Sequence, residues 1–347
     1  MDKVPHITIY RLLRSKWMVE VMKEFTNQRV LFVTTKNLDY IRNTQEISLI
    51  QECARDVYVI GSDKKSYFKR LLHVYWSLLR YPKNEFDKVF VGFAPQLVIP
   101  FFKWKFRNKE LWIDFFISMY DTLVFDRKKF KENSIFARIL KWLDTVTIQA
   151  ADYVISDTKA HGRYFVEEFG LQEDKWQVLY LEADQSIYYP REQKKPERMK
   201  DKFVVLYFGS ILPLQGLDIL LDAVDLLKNN SRLYFVIVGP IDEKYNKRVG
   251  DSIEFHDWLG QKELAEYISY ADLCLAGHFN KDINKAKRTI PGKAYIYSAM
   301  KKPMILGDND ATHELYDESM QGIYFVNMGD AKALADTIIA VEKETRL

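Results

Sequence analysis

FVVLYFGSILPLQGLDILLDA, residues 203–223, decides the fold. Its first part, FVVLYF, is a continuous apolar run rich in β-branched and aromatic residues, the pattern of a strand buried on both faces. The strand ends at Gly209, a short loop follows, and an amphipathic helix begins near Gly216 or Leu217. Glycine at Gly209 lets a phosphate come close to the backbone, and the free N–H groups at a helix start favour an anion. Taken alone, the same turn also serves as a plain strand-to-helix connection.

The alternation of strand and helix recurs along the chain. In the first half the apolar runs are 29–35, 56–61, 88–93, 111–116, 152–157 and 176–181. In the second they are 203–210, 233–239, 252–258, 272–277, 303–308 and 323–327. Strands separated by helical patterns imply βαβ units and parallel sheets, so the expected fold class is α/β with two Rossmann-like, doubly wound sheets. REQKKPERMKDK (191–202) is polar, charged and proline-bearing, and reads as the linker. The expected domains are 1–195 and 196–347, facing each other across a cleft at the carboxyl ends of their strands.

Composition narrows the function. A chain of 347 residues suits two domains, and 48% hydrophobic with 29% charged residues is a globular profile. The two cysteines, Cys53 and Cys274, are far apart in sequence and read as reduced, buried thiols. No G-x-G-x-x-G follows a strand and there is no Walker A sequence, which removes support for dinucleotide oxidoreductases and P-loop enzymes. MDKVPHITIYRLLRSKW lacks a signal-peptide core, and no run reaches the ~18 apolar residues of a membrane span. The expectation is a cytoplasmic protein, at most peripheral to the inner face of the cell membrane. Residues 64–110 hold eleven basic side chains against Glu85, Asp87 and Glu110, interleaved with aromatics. Such a stretch suits an anionic membrane surface, or an ordinary core-facing helix with solvated lysines. A pI near 8.5 does not point to nucleic acid.

The second half resembles the family-four type of GT-B glycosyltransferases. The run 208–223 is similar to that family's first turn, G-R-L-x-P-x-K-G-x-x-x-L-x-x-A. FVIVGP (235–240) is similar to its second strand and turn, IEFHDWLGQKELAEYISYADLCL (253–275) to the next strand and helix, and IPGKAYIYSAMKKPMILGDNDATHELY (290–316) to the sugar and phosphate loop and its closing acid. The resemblance covers nearly all of 203–340. It implies a nucleotide-sugar donor held by Gly209, Ser210, Gln215, Gly216 and Gly239. It places Trp258 and Leu259 near the base and gives Glu314 a sugar or ribose hydroxyl. No cofactor beyond the co-substrate and no metal is implied.

Departures stand beside the likeness. The family's arginine and lysine of the first turn are Ser210 and Gln215 here. Counting back from Pro303, its paired glutamates fall on Arg288 and Ile296. The site is therefore dead, takes a different donor, or draws its positive charge from elsewhere. KAKRTIPGK (285–293) resembles the K-x-x-R-x-I-P-x-K of a subset of these enzymes and supplies Lys285, Arg288 and Lys293 beside a helix start, as a diphosphate clamp requires. His313 has no such pattern behind it.

On the first half, VLFVTTKN (30–37) resembles the first strand and loop of the family's acceptor domain, preceded by residues 1–28. That extension carries Arg11, Arg14, Lys16 and Lys23 and reads as an added helix. Asp114 ends the strand of LWIDFFISMYDT, where the family places a histidine or aspartate near the reacting carbon. A carboxylate leaving an apolar strand must be paired or face a cavity, so Asp114 is a catalytic candidate or a bonded structural acid. Asp121 is a second candidate, or a helix cap. Gly92, Gln96, Ser118 and Tyr120 are expected on the acceptor side. Asp157 and His161 also follow a strand, where Asp157 is read as a helix cap as readily as a site residue.

The function expected is sugar transfer from a nucleotide-sugar to a saccharide or lipid-linked saccharide in surface polysaccharide or glycan assembly. The alternative is a non-catalytic GT-B-like binding protein. An epimerase on the same fold would need a flanking acid/base pair that the sequence does not display.

Overall fold

The structure is a computed structural model that describes residues 21–241 and 252–346. Backbone contacts divide the chain between Glu182 and Ala183 into an N-terminal and a C-terminal unit. The segment 191–202 is tied to the second unit. Lys195 pairs with Asp272, Arg198 pairs with Glu254 at 2.9 Å, and Met199 is buried.

The N-terminal sheet consists of β1 (Arg29–Val33), β2 (Asp56–Ile60), β3 (Lys88–Val91), β4 (Glu110–Asp114), β5 (Tyr153–Ser156) and β6 (Trp176–Val178). Its order is β2-β1-β3-β4-β5-β6, and every pairing is parallel. The C-terminal sheet consists of β7 (Phe203–Phe208), β8 (Leu233–Val238), β9 (Ile253–His256), β10 (Leu273–Gly277), β11 (Met304–Gly307) and β12 (Ile323–Val326). Its order is β12-β11-β10-β7-β8-β9, again all parallel. The strand order in each sheet thus reverses once, between β1 and β3 and between β7 and β10. Loops diverge at such a switch point and leave room for a ligand.

The runs that announced the strands are the cores of both sheets. Every residue of β3, β8 and β10 is buried, as a strand covered on both faces must be. After β7, the helix Leu217–Leu227 turns Leu217, Leu220, Leu221, Val224 and Leu227 inward. Each such leucine or valine stabilises the unit by about 1.5–3 kcal/mol. Gly216 starts this helix at φ 67°, where a side chain would strike the backbone of Phe279 and Asn280.

Most of the predicted N-terminal extension, including Arg11, Arg14 and Lys16, lies outside the described residues. Arg29 is described and pairs with Asp87 at 2.7 Å. Among the described residues, no helix is long and apolar enough to cross a membrane.

Candidate active site

The β7/β10 switch point of the C-terminal unit gathers the glycines and one lysine of the expected clamp. Lys293 lies in the first turn of the helix Gly292–Ala299 and is 5% exposed. Its amine donates to Gln215 Oε1 and lies 4.6 Å from the centre of the Tyr207 ring. A methyl group on Gly209 would come within 3.2 Å of that amine. A methyl on Gly277 would come within 3.0 Å of Gln215 Oε1. The loops ending β7 and β10 therefore both press their backbones onto Lys293 and Gln215. Gly239, at the end of β8, leans so close to the Gly209 carbonyl that a side chain would collide with it.

Burial pulls the Lys293 amine down to about 7. Among the described residues no acid pairs with it. His278, on the loop after β10, is buried and takes Nδ1 to the Thr289 carbonyl at 3.2 Å. Burial, and then the charge of Lys293, hold it down at about 3, so it is a neutral neighbour. Lys285 adds to the same field on His278. Lys285 and Arg288 are half-buried on the short helix Asn284–Arg288.

The remaining residues expected on the donor side sit on other loops of this unit. Ser210 is exposed. Trp258 is 83% exposed after the edge strand β9, with Leu259 buried beside it. Glu314 is half-buried on the turn after β11. His313 pairs with Asp308 at 2.7 Å and stacks on Phe325.

The N-terminal unit is organised differently. Asp114 ends β4 fully buried, and Arg42 grips both of its oxygens, Nε to Oδ2 at 2.6 Å and Nη2 to Oδ1 at 2.7 Å. The third arm of Arg42 donates to the Leu179 carbonyl at 2.7 Å. Glu46, one turn along the same helix Ile41–Gln51, is buried 3.5 Å from Arg42 Nε. Burial, and then the adjacent Asp114 charge, push its carboxyl well above the usual range. Neutral Glu46 leaves one cation facing one anion, the least costly state for three buried groups. Gly92 closes this set. A methyl there would come within 3.2 Å of Glu46 Oε2 and 3.4 Å of Asn43 Oδ1.

Gln96 and Ser118 both turn inward, onto Asp144. Gln96 Nε2 donates at 2.8 Å and Ser118 Oγ at 2.6 Å, joined by the Met119 and Tyr120 amides. Burial raises Asp144 to about 6 against these four bonds. Tyr120 is buried and packs edge-on against Phe125. Asp121 opens the turn Asp121–Asp126, its amide donating to Ser118 Oγ at 2.9 Å. Thr158 caps the helix Lys159–Phe169, one residue beyond the expected Asp157. Asp157 instead holds His161 Nδ1 at 2.7 Å.

Sequence reasoning missed Arg42, Glu46 and Asp144. The available signal was polar residues on the inward stripe of an amphipathic helix. Arg42 and Glu46 are spaced i,i+4, and Asp144 sits near Ala137 and Ile148 on its helix.

Comparison with known proteins gives the family of part of the chain and the fold of the whole. Residues 202–344 match the family described as glycosyl transferases group 1. Chitobiosyldiphosphodolichol beta-mannosyltransferase of Candida albicans is 25% identical over 275 residues, which are 72% of this chain and 58% of that protein. The chain spans a little over half the length of the curated relatives it matches. Among solved structures, sucrose-phosphate synthase from Thermosynechococcus elongatus superposes with a TM-score of 0.65 at 13% identity, covering 92% of this chain and 90% of that one. Anabaena HepE in complex with UDP and glucose gives 0.58 at 15% identity, covering 92% and 91%. Residues 202–344 are thus a glycosyl transferases group 1 domain, and the chain has the two-sheet fold of the GT-B glycosyltransferases.

Proposed function

We propose that the chain transfers a sugar from a nucleotide-sugar, held by its C-terminal unit, to a saccharide or lipid-linked saccharide acceptor on the N-terminal side. The observation that carries this reading is the buried Lys293 amine. It lies at a switch point under Gly209 and Gly277, with no acidic partner among the described residues. A buried cation without a counter-ion is unfavourable, and a diphosphate supplies the missing charge. When the bond from the anomeric carbon to the phosphate oxygen breaks, negative charge grows on the departing nucleoside diphosphate, and Lys293 stabilises it there. Lys285 and Arg288 contribute at longer range. The new bond joins the acceptor oxygen to the anomeric carbon, and the acceptor proton leaves to a base.

Asp114 and Asp121 are the proposed carboxylates of the acceptor side. Both Asp114 oxygens rest on Arg42, so its part is to fix the loop after β4 unless that pair opens. A lipid-linked acceptor draws support from the mannosyltransferase relative, whose name describes a dolichol-diphosphate substrate. Peripheral membrane contact through 64–110 at the cytoplasmic face belongs to the same reading.

A thermal-shift screen of nucleoside diphosphates and nucleotide-sugars, followed by a turnover assay, tests it. A ligand at about 100 times its Kd stabilises the fold by about 2.7 kcal/mol. We expect a shift with one base, reduced in Arg288→Ala. No shift with any of them at millimolar concentration would sink the proposal. A shift without turnover on any acceptor would favour the non-catalytic binding protein.

A further inference from the structure

We propose that three neighbouring helices of the N-terminal unit, Tyr67–Arg80, Ile99–Phe106 and Ile135–Ala150, form one docking face for an anionic lipid bilayer. This deepens the membrane contact proposed above and extends it to a helix outside 64–110.

The three helices share a single core. Val74 and Leu78, then Ile99, Phe102 and Phe106, then Ala137 and Ile148 all pack into one cluster over the sheet. They also meet side by side. The Tyr75 ring lies 5.0 Å from Phe102 and 5.9 Å from Phe101, and the second helix packs on the third.

With their inner faces buried, the outer faces of these helices should be polar. They are not. On the first helix Phe68, Leu72, Trp76 and Leu79 follow helical spacing opposite Val74 and Leu78 and are 52–68% exposed. On the second, Phe101 and Trp104 are 56% and 54% exposed. On the third, Ile135, Ile139 and Trp142 recur at i, i+4 and i+7 and are 50–63% exposed. Each helix thus offers one half-exposed tryptophan. Large apolar area gathered on one side of a domain marks an interaction surface. Tryptophan, with an apolar body and a polar edge, suits the boundary between lipid and water.

Charge selects the occupant. Lys65 and Lys69 are exposed at the start of the first helix, Arg80 and Lys83 at its end. Arg80 and Lys83 lie 4.1 Å and 4.5 Å from the rings of Trp76 and Trp104. The loop before the third helix adds exposed Arg127, Lys128, Lys129 and Lys131. Lysine is depleted where proteins meet proteins, but it is the residue that anchors an apolar face to acidic headgroups. No described helix is able to cross the bilayer, so the contact is with its surface.

The test is co-sedimentation of the full chain, without donor, with vesicles of phosphatidylcholine alone or mixed with phosphatidylglycerol. We expect binding to the mixed vesicles only, weakened by salt above about 0.5 M. Trp76→Glu and Trp142→Glu should each weaken it about tenfold, and Lys128→Glu with Lys129→Glu by a similar factor. All these sites are exposed, so the melting temperature should not move. Equal binding to both vesicles, or parental binding by Trp142→Glu, would overturn the proposal. So would a dimer, seen by light scattering, that Trp142→Glu dissociates while vesicles fail to bind. Because the readout needs no donor, docking stands or falls separately from glycosyl transfer.

Discussion

The two switch points of this protein solve one problem in opposite ways. Between β1 and β3 the space is closed from within. Thr34 binds Asn43 at 3.1 Å, Gly92 lies over Glu46, and Arg42 and Asp114 neutralise each other. Between β7 and β10 the glycines make the same close approach, but onto a lysine whose only side-chain acceptor among the described residues is an uncharged amide. One βαβ architecture therefore yields a balanced, self-filled polar core in one unit and an unbalanced cation in the other. The difference supports placing the proposed anion site in the C-terminal unit, for a reason independent of the family match.

The comparison breaks or sharpens under substitution. The largest effect is expected from Arg42→Met, which strands Asp114 in the core and should destabilise the N-terminal unit by about 3–5 kcal/mol in urea denaturation. A loss under 1 kcal/mol would mean that the pair is not the balanced core described. Lys293→Met should go the other way. Removing a cation that has no counter-ion among the described residues leaves stability unchanged or raises it by up to about 2 kcal/mol. A large loss would show that Lys293 is structural. Gly209→Ala places a methyl beside the lysine amine and should weaken nucleotide affinity about tenfold, with a stability cost near 1 kcal/mol.

The subtlest effect is a difference in pH response. Lys293 titrates near 7 when folded and near 10.5 otherwise. Between those values the unfolded chain binds more protons, so this group makes the C-terminal unit more stable as pH rises from 7 toward 10. Asp144 titrates near 6 rather than 3.8, so it makes the N-terminal unit more stable as pH falls from 7 toward 4. Hydrogen exchange resolved by segment should show the C-terminal unit gaining stability between pH 7 and 10 and the N-terminal unit gaining it as pH falls from 6 to 4. A C-terminal unit indifferent to pH above 7, or an N-terminal unit that weakens as pH falls from 6 to 4, would contradict the assignment.

Much of the fold was legible because most strands of both sheets are short apolar runs separated by helical patterns. The first-turn glycines and Lys293 drew notice because each sits in a local pattern, within 208–223 and 285–293, although the bond from Lys293 to Gln215 spans 78 residues. The polar core of the N-terminal unit was not legible. Asp114 was found at its strand end, but its partner Arg42 lies 72 residues away on a helix whose polar inner stripe gives no motif. Gln96 and Ser118 drew notice as loop residues beside a strand end. Asp144, which claims both, sits 48 and 26 residues downstream in a helix that reads as ordinary and amphipathic. Local patterns register in sequence, whereas pairings across the sheet do not.

Calorimetric titration of nucleoside diphosphates into the parent chain and Lys293→Met, at pH 7 and pH 9, tests the central claim most directly. The account predicts binding of one base by the parent and about a 100-fold loss in the variant. It also predicts weaker parental affinity at pH 9, by no more than about tenfold per pH unit, with a proton taken up on binding. Equal affinity in both chains, or affinity indifferent to pH, would contradict it.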